Sequence, residues 1–184
     1  AAQNWQTLNN TNHVYTMEKD GNSIYFSTWG GVVQITGESG APLSLMRQTQ
    51  HWTTGEGLVS NDIRSMAMID FSQSLWFGSG ADGISIISDA GMQSLDSSLG
   101  LPALRINEIL EMDSRILVAT SQGLAVFYYL PGVNFPLMLN QYNVINTNGG
   151  LSDNNISDIM LTDHGTLFWP QDRELTLCMW TPCM

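Results

Sequence analysis

The sequence is poor in charged residues, above all in basic ones. Charged side chains make up 12% of its 184 residues, and 6 Lys and Arg face 17 Asp and Glu, for a net charge of −11. A chain with so few cations cannot neutralise many phosphates, so nucleic-acid binding is disfavoured. Anionic membrane surfaces are disfavoured for the same reason. The favoured partners are therefore neutral or cationic.

Long apolar runs and cysteines are also scarce. The longest uncharged stretch, Ile116 to Ser152, is interrupted by glycine, proline and asparagine, so we predict no membrane insertion in this segment. The two cysteines, Cys178 and Cys183, lie in the last seven residues. They either close a small disulfide loop, as in an oxidising compartment, or remain two thiols in a tail. The pair lacks the further ligands of a zinc site, and we predict no metal and no cofactor.

A segment of related sequence occurs four times. Gly-Leu pairs begin at Gly57, Gly100 and Gly150, spaced 43 and 50 residues apart, and a weaker copy starts at Asn10. The extra length lies in connecting segments such as 129–140, which holds two prolines. Insertions between units of constant pattern are typical of a repeat array.

Each unit contains short apolar runs with period-two alternation, which predict β-strands. In the second unit the runs are Ile63 to Ile69, Leu75 to Ser79, Ile84 to Ile87 and Met92 to Leu95. An Asp-Gly turn at Asp82 separates two of them, as in a hairpin. Four antiparallel strands per 40 to 50 residues is typical of a β-propeller blade. We therefore predict an all-β fold, a β-propeller of about four four-stranded blades.

The repeat resembles the two-component regulator propeller repeat. That pattern has a Gly-Leu and Asn-x-Ile opening, an acidic turn, a strand similar to Leu-Trp-Phe-Gly-Thr, and a glycine before the next strand. The second unit matches it at Gly57, Leu58, Asn61, Ile63, Asp70, Leu75, Trp76, Phe77, Gly78, Ser79, Gly83 and Ile84. The fourth unit departs from it, because Trp169-Pro170 stands where Gly-Thr is expected.

The resemblance implies a segment of a larger, six- to eight-bladed propeller. The expected blades are 9–54, 55–95, 96–144 and 145–180, and residues 4–8 form the outer strand of a neighbouring or closing blade. A four-bladed ring and a ring completed by a second copy stay open as alternatives. Self-association through incomplete propeller edges is expected, because unpaired strand edges and faces invite pairing.

The resemblance also implies a location and a function. Related propellers form the periplasmic sensor region of bacterial hybrid histidine kinases, and their ligands are often oligosaccharides. This chain has no kinase signature, so we expect a non-catalytic, periplasmic or extracellular ligand-sensing module. The alternative is a secreted or surface propeller that binds protein partners. A third reading is a propeller lyase with His13 as its base.

In a propeller, ligands usually bind where the loops between blades meet the turns between the second and third strands. Planar polar groups and one aromatic face suit the hydroxyls and C–H surface of a sugar. The expected ligand-binding residues are His13, Trp29, Arg64, Asp82, Arg105, Asn107 and Gln122. Asn61 and Asn154 recur by unit and are expected to cap loop backbone instead. Arg64 and Arg105 have a second interpretation, pairing with carboxylates such as Asp62 and Glu108.

Overall fold

The computed structural model describes residues 13–40, 42–130, 132–148, 150–161, 166–171 and 174–179. Over these residues the chain is all-β, with 3-10 turns and no α-helix. The strands are β1 (Val14–Asp20), β2 (Ser23–Thr28), β3 (Gly31–Thr36), β4 (Arg47–Trp52), β5 (Ile63–Ile69), β6 (Ser74–Ser79), β7 (Ile84–Ser88), β8 (Gly91–Leu95), β9 (Ile106–Met112), β10 (Arg115–Thr120), β11 (Gly123–Tyr128), β12 (Leu137–Tyr142), β13 (Met160–Leu161), β14 (Thr166–Gln171) and β15 (Glu174–Met179).

The strands form consecutive antiparallel sheets in which each strand pairs with its neighbours in the chain. Sheet 1 contains β1 to β4, sheet 2 contains β5 to β8, sheet 3 contains β9 to β12, and sheet 4 contains β13 to β15. The prediction of an all-β fold built from four-stranded antiparallel units is confirmed by sheets 1 to 3. The outer strand expected at residues 4–8 and the cysteine Cys183 lie outside the described residues, so the disulfide stays a prediction.

The fourth unit begins with a much shorter inner strand than expected. Counting strands from one repeat unit to the next predicts an inner strand over residues 155–161, but only Met160–Leu161 pairs with β14. Side chains take the backbone N–H groups that a ladder would need: Asp153 accepts from the N–H of Asn155 (3.0 Å), and Asp158 accepts from its neighbour Ile159 (2.7 Å). Such local bonds compete with strand pairing.

The sheets pack face to face through apolar side chains. Trp76 of sheet 2 and Phe127 of sheet 3 are fully buried, and their ring centres are 5.9 Å apart. A Cβ atom on Gly78 would lie 2.5 Å from Cγ2 of Ile106, so the two sheets approach too closely there for a larger residue. Phe77 faces the other way, in a cluster with Tyr25 of sheet 1. The core therefore lies between sheets, as interdigitated layers.

The chain topology gives the stack two edges with different loops. The upper edge holds the β2–β3, β6–β7 and β10–β11 turns and the connections from one sheet to the next. The lower edge holds the remaining turns, including the 3-10 turn Asp70–Ser72. The inner strands β1, β5 and β9 are neighbours along the stack. No helical turn in the described ranges is long and apolar enough to cross a bilayer.

Candidate ligand-binding edge

Backbone hydrogen bonds join neighbouring sheets along the upper edge. The N–H of Gly31 donates to the carbonyl oxygen of Asn61 (2.8 Å), and the N–H of Gly83 donates to that of Leu104 (2.9 Å). The N–H of Ile156 donates to the carbonyl oxygen of Thr120 (3.1 Å). Each turn is thereby tied to the segment that enters the following sheet. Backbone hydrogen bonds therefore connect the loops of the upper edge from sheet 1 to the segment that enters sheet 4.

A β-bulge recurs where each inner strand begins. In sheet 1, Val14 and Thr16 pair with successive residues of β2, so Tyr15 is the extra residue. In sheet 2 the register skips Arg64 in the same way. In sheet 3 it skips Asn107. A bulge redirects the side chain of its extra residue and frees it from the strand pattern. Tyr15, Arg64 and Asn107 are therefore structurally equivalent positions at the upper edge.

An aromatic cluster occupies the sheet 1 end of this edge and comprises His13, Tyr15 and Trp29. The ring centre of His13 lies 5.4 Å from that of Tyr15 and 6.3 Å from that of Trp29. The guanidinium carbon of Arg64 lies 5.7 Å from the Tyr15 ring centre. Trp29 is 63% exposed, although an indole of this size is normally buried. The cluster thus presents an aromatic surface to solvent with a cation beside it.

The turn that carries Trp29 is held by three hydrogen bonds from two side chains. His51 of β4 forms a hydrogen bond of 2.8 Å between its Nε2 atom and the carbonyl oxygen of Gly30. The hydroxyl of Thr28 donates to the carbonyl oxygen of Gly31 (2.8 Å) and accepts from the N–H of Gly30 (2.9 Å). Because a carbonyl can only accept, His51 is the donor in this bond. Trp29 therefore projects from a fixed backbone.

Arg64 is paired with a carboxylate rather than free. Its Nη2 atom lies 2.9 Å from Oδ2 of Asp62, and its Nε atom donates to the same oxygen at 3.0 Å. Hydrogen bonding to Asp62 raises the pKa of the guanidinium further above its ordinary value. Both side chains are about a third exposed, at 38% and 31%. The pair orients the guanidinium next to Tyr15 while leaving N–H groups open to a ligand.

Asn107 uses its side chain within the protein. Its Nδ2 atom donates to the carbonyl oxygen of Ile156 (2.6 Å) and to Oδ1 of Asn155 (3.1 Å). The amide thereby links β9 to the segment that enters sheet 4. Asn107, rather than Arg105, occupies the position equivalent to Arg64. Arg105 precedes β9 and is exposed, and its carbonyl oxygen accepts from the N–H of Ser121 (3.3 Å).

The other two predicted residues lie in turns further along the edge. Asp82 is exposed in the β6–β7 turn, where its N–H donates to the hydroxyl of Ser79 (2.7 Å). Gln122 lies in the β10–β11 turn, and its N–H donates to the hydroxyl of Thr120 (3.1 Å). The structure thus brings only three of the seven predicted residues, His13, Trp29 and Arg64, into one cluster. Of the other four, Asp82 lies in a turn of sheet 2, and Arg105, Asn107 and Gln122 lie at the edge of sheet 3.

The two recurring asparagines cap loop backbone, as the sequence indicates. Oδ1 of Asn61 accepts from the N–H of Thr54 (2.8 Å), and Oδ1 of Asn154 accepts from the N–H of Val144 (2.8 Å). Each bond closes a connection between two sheets. The interpretation of these residues as structural caps is confirmed, and their amides shape the loops that carry the site.

A half-buried carboxyl group lies one residue after the bulge of sheet 3. Burial, with a further contribution from the Asp158 carboxylate, raises the pKa of Glu108 to about 7. Burial also raises the pKa of Glu18 on β1, which lies close enough for its charge to act on Glu108. Burial therefore makes both carboxyl groups harder to ionise in the folded protein than in water.

Sequence reasoning missed two contributors to the aromatic cluster. Tyr15 follows His13 at a spacing of two, the signal of a shared strand face, but its bulge depends on the register of β2. His51 stands on an outer strand, far in sequence from the turn that it holds. Its role follows only from the folding of β4 back onto β3.

The chemistry of the cluster suits ligand binding. Its aromatic surface, the Arg64 cation and the Asp62 carboxylate together suit a polar ligand that carries a hydrocarbon face.

The fold is similar to that of several solved bacterial proteins. No family model and no curated protein matches the chain. Among solved structures, it is similar to the extracellular domain of BT3049 from B. thetaiotaomicron, a protein assigned as a hybrid two-component system. The match has 20% identity and a TM-score of 0.66, and covers 85% of this chain and 20% of that one.

Two further solved structures are similar to the chain. PorZ, a surface component of the type-IX secretion system of Porphyromonas gingivalis, matches with 16% identity and a TM-score of 0.59, over 85% of this chain and 19% of its own. The extracellular domain of BT4673 from B. thetaiotaomicron, assigned as a one-component system, matches with 15% identity and a TM-score of 0.54. This match covers 91% of this chain and 27% of the BT4673 chain. The chain spans about a fifth to a quarter of these proteins, and the likeness shows a shared fold.

Proposed function

We propose that this chain is a non-catalytic ligand-sensing part of a β-propeller, in the periplasm or outside the cell of a bacterium. The observation that carries the proposal is the exposed Trp29, held on a fixed turn beside His13, Tyr15 and Arg64. The similarity to extracellular domains of two-component-type receptors supports a sensing role. Neutral oligosaccharides are the proposed ligand class, because a pyranose offers both a C–H face and hydroxyl groups.

Each part of the cluster has a role in this proposal. The Trp29 ring stacks against the C–H face of a sugar, and the Arg64 N–H groups donate to its hydroxyl oxygens. His13 and Tyr15 extend the aromatic surface, and Asp82, Arg105, Asn107 and Gln122 complete the edge towards sheet 3. Asn107 contributes by holding the segment at Ile156 in place.

The test is a thermal-shift and calorimetry screen with cellotetraose, maltotetraose, laminaritetraose and xylotetraose. At least one is expected to raise the melting temperature of the wild type. Trp29→Ala is expected to weaken its binding roughly five- to tenfold, since loss of an aromatic contact costs about 1 to 1.4 kcal/mol. Leu45→Ala is the matched control, an exposed apolar residue before β4. Unchanged affinity in Trp29→Ala, or no shift with any of the four sugars, would contradict the proposal.

A second candidate function is a surface propeller that binds a protein partner. PorZ shares the fold, and the upper edge carries Ile145 at 83% exposure together with the exposed Leu99. The same screen discriminates the two. This alternative expects no oligosaccharide to bind, and expects Ile145→Ser, but not Trp29→Ala, to weaken association with the partner protein.

We also propose that the sheets are blades 9–54, 55–95, 96–144 and 145–180 of a larger propeller. The coverage of only 20% of the BT3049 domain supports this arrangement. The isolated segment would then expose sheet faces that neighbouring blades cover, and it would self-associate. Size-exclusion chromatography with light scattering tests the arrangement: concentration-dependent association is expected, and a clean monomer at all concentrations would contradict it.

A further inference from the structure

The lower edge contains a cavity that the repeat pattern does not require. It has a volume of about 540 Å³ and lies between the loops of sheets 2 and 3. This volume falls within the range of small-ligand sites, roughly 300 to 1,000 Å³. One wall comes from sheet 2, through the β5–β6 turn with Phe71 and the β7–β8 turn with Asp89. The other comes from sheet 3, through the β11–β12 connection.

The sheet 3 wall is an insertion relative to sheet 2. Residues 89–90 suffice to connect β7 to β8, whereas 129–136 connect β11 to β12. The insertion presents Leu130 and Val133, both exposed, to the cavity. Its turn is closed by a hydrogen bond from the N–H of Val133 to the carbonyl oxygen of Leu130 (3.0 Å). Loops that exceed what the scaffold needs, and that line a cavity, are where binding functions concentrate.

Two aromatic rings meet across the cavity. The rings of Phe71 and Tyr129 have centres 5.9 Å apart at an interplanar angle of 74°, an edge-to-face pair between two sheets. Phe71 keeps 39% of its surface exposed in this arrangement. An apolar body of ligand size can therefore pack against aromatic and aliphatic side chains from both walls.

The charge of the lining selects among ligands. Asp89 is the only acidic residue that lines the cavity among the described residues, and none of those lining residues is basic. Its side chain is exposed in the β7–β8 turn, and the whole chain carries a net charge of −11. A cation near Asp89 gains from the carboxylate, and Phe71 and Tyr129 line the same cavity.

We propose that this cavity binds a small organic cation, an amine that carries an aromatic or aliphatic body. The ammonium group lies at Asp89, and the apolar body lies between Phe71 and the insertion at Leu130 and Val133. The site is on the opposite edge from the aromatic cluster, so it is independent of the proposed oligosaccharide site.

The experiment compares three probes of one shape: 2-phenylethylammonium, 2-phenylethanol and phenylacetate. Each is titrated into the whole chain while backbone amide signals are followed by heteronuclear NMR. We expect the ammonium probe to bind tightest, about two- to fivefold tighter than the alcohol, with signals of Ala90 and Val133 shifting. The carboxylate probe is expected to bind weakest.

Three variants test whether the preference for the ammonium probe arises in this cavity. Asp89→Asn is expected to equalise the affinities for ammonium and alcohol, and Phe71→Ala to weaken binding of all three probes. Glu38→Gln is the matched control, since Glu38 is an exposed carboxylate in the β3–β4 connection of sheet 1. Equal affinity of the wild type for all three probes, no binding up to their solubility limits, or equal effects of Asp89→Asn and Glu38→Gln would each overturn the proposal.

Discussion

Tyr15 and Arg64 are the extra residues of equivalent bulges on adjacent inner strands, and the Arg64 guanidinium carbon lies 5.7 Å from the Tyr15 ring centre. A cation at this distance from an aromatic face is attracted by the ring quadrupole. The two bulges thus join sheets 1 and 2 at the proposed binding edge.

This contact predicts a measurable coupling energy. In a double-mutant cycle of Tyr15→Leu and Arg64→Met, followed by urea denaturation, the coupling is expected to be about 0.5 to 1 kcal/mol. Leucine and methionine retain apolar bulk while removing the ring and the charge. The control cycle pairs Arg64→Met with Leu45→Ala and is expected to show none. A coupling of zero for Tyr15 and Arg64 would contradict the contact.

The hydrogen bond from His51 to Gly30 predicts a positioning role for His51. His51→Leu is expected to cost about 0.5 to 1.5 kcal/mol of unfolding free energy. It is also expected to loosen the Trp29 turn, visible as a shift of the Trp29 indole N–H signal towards its unfolded position. Gln50→Leu, on the same strand, is the control. An unmoved indole signal in His51→Leu would show that the turn holds itself.

Glu108 predicts a pH-dependent stability with a definite sign. Its folded pKa of about 7 exceeds the ordinary value of 4.5. The contribution of the protonated Glu108 carboxyl group to the free energy of unfolding is therefore fully present below pH 4.5 and is lost as the pH rises through 7. Glu108→Gln is therefore expected to stabilise the fold by about 1 to 3 kcal/mol at pH 8 and by much less at pH 5. Urea denaturation at both values measures this difference. Glu38→Gln serves as the exposed control, and equal effects of Glu108→Gln at both pH values would refute the prediction.

The close packing of sheets 2 and 3 at Gly78 predicts that a larger residue there lowers the stability of the fold. An alanine Cβ at this position would lie 2.5 Å from Cγ2 and 2.9 Å from Cβ of Ile106. Gly78→Ala is therefore expected to destabilise the fold by about 1 to 3 kcal/mol, measured by thermal denaturation. Gly55→Ala is the control, because its nearest neighbour is a Thr53 hydroxyl at 3.3 Å. Similar losses in both variants would argue against close packing as the cause.

Asn107 predicts a structural effect that a ligand-contact role would not produce. Asn107→Ala removes both hydrogen bonds to the segment at Asn155 and Ile156 and is expected to cost about 1 to 3 kcal/mol. Hydrogen exchange at the Ile156 amide, which donates to Thr120, is expected to accelerate. Gln48→Ala, an exposed amide on β4 of sheet 1, is the control. Unchanged exchange together with lost oligosaccharide binding would assign Asn107 to the ligand instead.

The strands were the most predictable feature. The run Ile63 to Ile69 is observed as β5 with the same limits, and the other strands of sheet 2 begin or end within one residue of their predicted limits. Short apolar runs mark the strands of sheet 2 because this sheet packs against sheet 3 on one face and against sheet 1 on the other. Strand counting failed at residues 155–161, where two aspartate side chains accept hydrogen bonds from backbone N–H groups.

The candidate site was only partly predictable. The choice of His13, Trp29 and Arg64 followed from residue type and loop position, and the structure brings these three together. The equivalence of Arg64 with Asn107 rather than Arg105 depends on which residue the register skips, and that is decided by the partner strand. The lower-edge cavity had one sequence signal, the extra length at 129–140, but its second wall comes from a different unit.

The sequence alone determined the repeating unit and the antiparallel strands, because alternation and turn residues act between residues that are close in the chain. The scarcity of cations follows directly from the composition. Only the tertiary structure decided which side chains meet. The contacts of Tyr15 with Arg64, of His51 with Gly30 and of Phe71 with Tyr129 join residues 21 to 58 positions apart. Such contacts depend on strand register and on how closely one sheet packs against the next, which no local pattern encodes.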